Sequence, residues 1–296
     1  MKRIKSKQLS RIATLSICLA ALVFCSCSSA RRAGTNQRHK YHSFTFVQLS
    51  DPQLGFLNGN INYAEDSVLL SRVIRKVNSL KPSFVIMTGD MTNASGNASQ
   101  IGCYKKVVST LRKSIPLYQI PGNHDVGKGS TDEKVAKYIS NYGPDHFSFD
   151  YEGCHFVGIN SCVIKDANKP LEDKQWDWLA KDLDSKKGSR LSFVICHHSF
   201  FLRSYTEKVS YSNQTRGVRD KYWELFKKNG VDCVISGHLH DNLCSEHDGI
   251  EMVTTGPVGK PLGKGYSGVC VWKVDENGTY SHKYYSIDEF EKIERL

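Results

Sequence analysis

A chain of 296 residues that is 40% hydrophobic, 10% aromatic and 24% charged can bury a full core, which excludes a disordered tail protein, a collagen-like chain and a small disulfide-stapled scaffold. Its net charge of +10 is concentrated: Lys2, Arg3, Lys5, Lys7 and Arg11 lie in the first eleven residues, which hold no acid. Beyond them no block of like charge remains to build a basic groove, so nucleic-acid binding is not expected.

In chain order, the basic start gives way to a short apolar run over 12–24 and then to Cys25-Ser26-Cys27-Ser28-Ser29-Ala30. A cationic segment, an apolar run too short to span a bilayer and small residues after it describe an export signal. A cysteine closing that run also resembles a bacterial lipoprotein signal, whose cysteine is acylated and becomes the new N-terminus. Cys27, after small Ser26, fits that role better than Cys25, after bulky Phe24; cleavage after Ala30 is the alternative. Residues 1–30 are therefore expected to be a signal peptide of lipoprotein type and 31–42 a polar tether. The expected location is the periplasm or cell envelope, with membrane contact only through the lipid. Seven cysteines remain beyond the signal, an odd number without CxxC spacing. Cys196, Cys233 and Cys270 sit in apolar runs and read as buried thiols. Cys154 and Cys162 lie near the two ends of one extended segment, which at about 3.3 Å per residue holds them beyond bridging distance.

From Ser43 the pattern predicts strands at 44–50, 84–88, 116–120, 147–151, 154–160, 191–196, 231–236, 250–255 and 268–274. Helices are predicted at 64–79, 99–113, 131–141, 171–186 and 217–229. Val68, Leu69, Val73, Ile74 and Val77 form an apolar stripe at helical spacing, and Asn229-Gly230 reads as a left-handed helix stop. Strands alternating with helices, then hairpin-rich segments, argue a layered α/β domain over 43–296 with a mixed sheet or a β-sandwich core.

Hydrophilic residues cluster immediately after the strands. Successive strand ends run into Asp51-Pro52-Gln53, Gly89-Asp90, Gly122-Asn123-His124-Asp125, His197-His198 and Gly237-His238-Leu239-His240. That is the edge at which α/β folds place their sites. A lone strand-end Asp is most often a turn former, and His197-His198 alone would be one buried and one exposed imidazole. Five such ends in one chain instead describe a metal site. Gly89, Gly122 and Gly237 would let the backbone turn sharply.

This set resembles the calcineurin-like metallophosphoesterase family, with its D-x-[H/Q], G-D-x-x-[D/N], G-N-H-[D/E], strand-end His and G-H-x-H motifs. The resemblance covers roughly residues 43–290. It implies a four-layer α/β fold, a β-sandwich with flanking helices and the metal site at the strand ends. It also implies a first divalent ion held by Asp51, Gln53, Asp90 and His240. A second would be held by Asp90, Asn123, His197 and His238, with Asp90 bridging. Two such ions clamp a phosphoryl oxygen and activate a shared hydroxide. His124 would stabilise or protonate the leaving oxygen, with Asp125 orienting its ring. His198 reads as a neighbour of the site or an exposed residue rather than a ligand. Most of the family carries histidine where Gln53 stands. The neutral amide oxygen is a weaker, harder ligand, which favours Mn²⁺ or Mg²⁺, with Fe or Zn as alternatives.

The implied activity is hydrolysis of phosphomonoesters, from protein phosphoserine or phosphothreonine or from small molecules. A phosphodiesterase on the same site and a lipid-anchored, non-catalytic metal-binding protein are the alternatives. The segments 54–62 and 199–216 are expected to border the site, with Phe56, Arg203, Tyr205 and Arg216 as candidate substrate contacts. Gly122-x-x-x-x-Gly127-Lys128 falls short of a phosphate-binding P-loop because Gly129 stands where Ser or Thr is required.

Overall fold

A computed structural model describes residues 41–296. The signal segment with Cys25 and Cys27, and the tether as far as residue 40, lie outside the described residues. The last two tether residues are docked rather than loose. The His42 amide donates to Glu152 Oε2 at 2.9 Å, and Arg190 lies 5.2 Å from the centroid of the Tyr41 ring.

The elements in chain order are β1 (Phe44–Leu49), α1 (Ala64–Leu80), β2 (Phe84–Met87), α2 (Ala98–Val108), β3 (Leu117–Gln119), α3 (Asn123–Val126), α4 (Asp132–Tyr142), β4 (Phe147–Tyr151), β5 (Cys154–Gly158), α5 (Ser161–Lys165), α6 (Lys169–Ser185), β6 (Ser192–Ile195), α7 (Arg216–Asn229), β7 (Cys233–Ser236), β8 (Leu243–His247), β9 (Ile250–Thr254), β10 (Gly268–Val274), β11 (Tyr280–Ser286) and α8 (Ile287–Lys292). They form a five-stranded sheet, β11-β10-β1-β2-β3, and a six-stranded sheet, β4-β5-β6-β7-β9-β8, both mixed. Helices flank the pair, which gives the expected layered α/β architecture.

Side chains alternate across each strand, and that alternation builds two cores. Phe44, Phe46, Phe84, Ile86, Phe156, Phe193, Ile195, Ile235 and Trp272 point between the sheets. The intervening Val47, Leu49, Val85, Met87, Val194 and Val234 point outward under the helices, against residues such as Leu70, Val73, Ile74, Val77, Leu183 and Phe226. Phe46 is stacked between Phe84 and Trp272, with ring centroids 5.0 and 5.5 Å away. On α1 the stripe runs through Leu70, Val73, Ile74 and Val77; Val68, expected in it, is 57% exposed because it falls on the solvent side of the same turn.

The described cysteines are all thiols with none in a disulfide, and Cys154, Cys162, Cys196, Cys233 and Cys270 are buried. Strands β8 and β11 and helices α3, α5 and α8 had no counterpart in the sequence pattern. The edge strands β8 and β11 carry mixed polar sequences without a clear apolar alternation, so their burial is set by tertiary neighbours.

The parallel run β1-β2-β3 and the parallel run β5-β6-β7-β9 bring their carboxyl ends to one region of the molecule. Buried Gln48 joins the sheets just beneath it. Its amide donates to the Ser236 carbonyl at 2.9 Å, and its Oε1 accepts from Thr255 Oγ1 at 2.8 Å and Trp272 Nε1 at 3.1 Å.

Candidate metal centre

Every expected metal ligand follows closely on the end of β1, β2, β3, β6 or β7, Asn123 as the first residue of α3. Asp51, Gln53, Asp90, His197, His238 and His240 are all buried, while Asn123 is partly exposed at the rim. His197 Nε2 is 3.4 Å from Asp90 Oδ2, 3.1 Å from Asn123 Oδ1 and 3.2 Å from His238 Nδ1. His240 Nε2 is 3.5 Å from Asp51 Oδ1. Possible ligand atoms of Asp51, Asp90 and His197, and those of His197, His198 and His238, lie within 4.8 Å of one another.

The donor atoms are left over in the way a cation requires. Asp51 Oδ1, Gln53 Oε1 and His238 Nε2 are buried without a hydrogen-bond partner among the described residues. Such atoms are costly in a native interior unless something absent from the protein chain satisfies them. The partners of the neighbouring atoms fix their orientation. Gln53 Nε2 donates to Asn93 Oδ1 at 3.1 Å, which turns its carbonyl oxygen to the centre. His197 Nδ1 lies 2.7 Å from the Thr88 carbonyl oxygen and His240 Nδ1 2.5 Å from that of Lys260. A carbonyl only accepts, so each ring donates from Nδ1 and turns Nε2 inward, the orientation typical of metal-ligating histidine.

The backbone is strained at the same places. Among the eleven described non-glycine residues with positive φ are Asp51, Gln53, Asp90, His238 and His240. Residues held in such conformations cluster at sites where a side chain must be aimed. The glycines act in two ways. Gly89, at φ +97, supplies the expected turn. Gly122 and Gly237 supply space instead: a Cβ at Gly122 would stand 2.1 Å from Asp90 Oδ1, and one at Gly237 would stand 1.9 Å from Ser50 Oγ.

Crowding acids against imidazoles shifts their proton affinities. Burial works against ionising Asp90, yet the charges of His197 and His124 hold its carboxyl well below the usual range. Burial likewise opposes ionisation of Asp51, and His240 overcomes it. His197, despite the burial that disfavours its cation, is lifted to about 9 by Asp90 and Asp51, whereas burial and the His197 charge push His238 down to about 4. Two carboxylates held ionised, with inward imidazole nitrogens whose protons a cation would displace, fit divalent metal ions.

One expectation is corrected and one is narrowed. Asp125 does not orient the His124 ring. Its carboxylate accepts from the amides of Met91, Thr92 and Gly122 at 2.9, 3.2 and 2.9 Å, pinning the loop of Asp90 to the loop of Asn123. Its place at N3 of the short helix α3 points it back to the loop, and burial with the Asp90 charge pushes it up to about 8. The His124 ring is held instead by the Asn93 carbonyl, 2.7 Å from Nδ1. His198 is buried, with Nδ1 3.3 Å from Ser161 Oγ and its ring 4.4 Å from that of His238, so it supports the site rather than facing solvent.

Of the expected substrate contacts, Phe56 reaches the site, its ring 5.4 Å from that of His240. Tyr205 is turned away, stacked on His247 at 3.8 Å and bonded to Asp220, and Arg216 pairs with that same Asp220. The segment 199–216 sends Tyr211 instead, which the sequence reading passed over. Its hydroxyl accepts from Asn123 Nδ2 at 3.1 Å, and its ring lies 4.8 Å from that of His238. A cavity of about 600 Å³ beside the centre is lined by His124, Tyr211, Lys128, Lys165, Asn93 and Asn123, among others.

Comparison with known proteins places this geometry. Residues 44–242 match the family described as Calcineurin-like phosphoesterase. The chain is 31% identical over 268 residues to Serine/threonine-protein phosphatase CPPED1 of Rattus norvegicus, covering 84% of this chain and 86% of the relative. It is 33% identical over 265 residues to the protein of that name from Danio rerio, covering 83% and 85%. The fold resembles the crystal structure of a dimetal phosphatase from Danio rerio, with TM-score 0.62 and 12% identity over 82% of this chain and 96% of that one.

Proposed function

The chain belongs to the calcineurin-like phosphoesterase family of hydrolases, and on that premise we propose that it removes phosphoryl groups from phosphomonoesters outside the cytoplasm. The substrates are small phosphomonoesters or phosphoserine and phosphothreonine. The observation that carries this reading is the buried set of donor atoms without a partner among the described residues, Asp51 Oδ1, Gln53 Oε1 and His238 Nε2, in a centre whose Asn123 also lines a cavity with His124, Lys128 and Lys165. Curated relatives above 30% identity are named serine/threonine-protein phosphatases, which favours monoesters over diesters. The export signal at 1–30 supplies the location, with Cys27 as the lipid attachment.

Asp51, Gln53, Asp90 and His240 would hold one divalent ion, and Asp90, Asn123, His197 and His238 the other, with Mn²⁺ or Mg²⁺ preferred because an amide oxygen replaces an imidazole at Gln53. When bound, the ions supply positive charge for the phosphoryl oxygens and acidify the attacking water. The protein does the rest. Lys128 and Lys165 draw the anionic ester into the cavity. Tyr211 and Asn123 form its near wall. His124, which donates from Nδ1 to the Asn93 carbonyl and lines the cavity, would as the imidazolium give its Nε2 proton to the leaving oxygen and be left neutral. Asp125 fixes the spacing between the loops of Asp90 and Asn123.

The test is turnover of an aryl phosphate and an aryl phosphodiester by metal-stripped protein resupplied with Mn²⁺, Mg²⁺ or Zn²⁺. Preference for the monoester is expected. Turnover of the diester alone would make the protein a phosphodiesterase. No turnover of either ester with metal bound would make it a binding protein.

A further inference from the structure

A second group of metal-ligating side chains lies away from the strand-end centre, at the rim where the two sheets meet. Cys244 on β8, Glu251 on β9 and His282 on β11 bring one sulfur, one carboxylate oxygen and one imidazole nitrogen within 4.8 Å of one another. Cys244 Sγ is 2.8 Å and His282 Nε2 3.2 Å from the same oxygen, Glu251 Oε1. Glu251 is 4% exposed, so its carboxylate is buried against Cys244, His282 and the Tyr280 hydroxyl. The nearby Tyr280 hydroxyl lies 3.4 Å from the Asp232 carbonyl and also supports the Glu251 carboxylate. The His282 ring rests on Trp272 with centroids 4.6 Å apart, which limits its swing. A cavity of about 370 Å³, lined by Asn242, Cys244, Thr255, Cys270, His282 and Tyr284 among others, reaches Cys244 and His282 of the group.

The geometry points to a mononuclear Zn²⁺ site made of Cys244, Glu251 and His282, separate from the centre that hydrolyses the ester. Thiolate, imidazole and carboxylate are the ligand types zinc takes, and three protein ligands with a fourth position open to water is a common zinc arrangement. A thiolate selects against Mg²⁺ and Mn²⁺, so the two centres would sort metals by ligand chemistry. Bonds of about 2.0–2.3 Å to a tetrahedral Zn²⁺ set neighbouring donors about 3.3–3.6 Å apart, so the two short contacts open by less than about 1 Å to admit the ion. On binding, the Cys244 thiol loses its proton to solvent through the cavity, and its lone pair forms the sulfur–zinc bond. Because β8 and β11 are edge strands of different sheets, the ion ties the two sheets together at an end where no strand pairing joins them.

The test is Co²⁺ titration of the purified chain, since Co²⁺ replaces Zn²⁺ and reports sulfur ligation through a thiolate-to-cobalt charge-transfer band in the near ultraviolet. The strand-end centre contains no sulfur, so it cannot give that band. The band is expected in the wild type and in Asp90→Asn, lost in Cys244→Ser, and weakened at least tenfold in Co²⁺ affinity in His282→Gln. Zn²⁺ should displace it and raise the thermal midpoint of Asp90→Asn but not of Asp90→Asn combined with Cys244→Ser. No band in the wild type, or one that survives both Cys244→Ser and His282→Gln, overturns the site. His282→Gln keeps the test decisive should Cys244→Ser fail to fold.

Discussion

Replacing Gly122 by Ala probes the packing of the centre with a single carbon. The φ of Gly122 is −101°, which alanine adopts freely, so the substitution carries no backbone penalty of its own. The added Cβ would stand 2.1 Å from Asp90 Oδ1 and 2.3 Å from the Asp90 amide nitrogen. Ordinary contact begins near 3.4 Å, so the loops of Asp90 and Asn123 must part by about 1.3 Å. Neither side yields freely, because Asp125 clamps both loops through three amides. A displacement of about 1 Å at a reacting centre costs on the order of 10²-fold in rate. Steady-state assay of the metal-loaded enzyme on its preferred aryl ester should show kcat/KM down about 10²-fold, with circular dichroism unchanged. Gly102→Ala is the control: that glycine is exposed within α2 with open space at its Cβ, so activity should hold and stability rise by about 0.5–1 kcal/mol. If Gly122→Ala keeps wild-type kcat/KM within twofold, the close fit of the loops does not govern the site.

Gln53→His should tighten metal binding, lowering the Mn²⁺ or Zn²⁺ concentration for half-maximal activity by about tenfold, read by titrating stripped enzyme; unchanged affinity would remove Gln53 from the ligand set. His155 donates from both ring nitrogens, to Asp150 and Asp182 at 2.8 Å each, so it is held as the cation. Burial opposes that charge, but the two carboxylates raise its pKa above the ordinary value. Its stabilisation is therefore complete below about pH 6.5 and lost as pH rises through the folded pKa. The gap in thermal midpoint between wild type and His155→Gln should narrow from pH 6 to 9, and a gap that widens would contradict the pairing. Cys27→Ala should move the protein from the membrane to the soluble fraction on cell fractionation; an unchanged distribution would leave export without a lipid.

Much of the site was legible because its chemistry sits in short, contiguous loops behind apolar strands. Asp51, Asp90, Asn123, His197 and His238 could be read as one constellation because each follows a strand whose apolar run marks its end. What the sequence could not carry is direction. Asp125 adjoins His124 in the chain, yet the turn of α3 sends its carboxylate to three amides instead of the ring. Tyr211 and Tyr205 stand six positions apart in one irregular segment, and only tertiary packing puts the first at the centre and the second against His247. The same limit hid Gln48, a lone polar residue in an apolar strand, which proves to bind both sheets below the site. It also hid the grouping of Cys244, Glu251 and His282, drawn from strands distant in sequence.

The central claim is that the buried donors around Asp90 hold the metals that drive ester hydrolysis. Its most direct measurement is metal content and aryl phosphate turnover, taken together, for wild type and Asp90→Asn. The expected result is two divalent ions per chain and metal-restored turnover in the wild type, with both metal retention and turnover lost in a variant that remains folded. Turnover that survives in Asp90→Asn, or that persists in thoroughly stripped wild type, would contradict it.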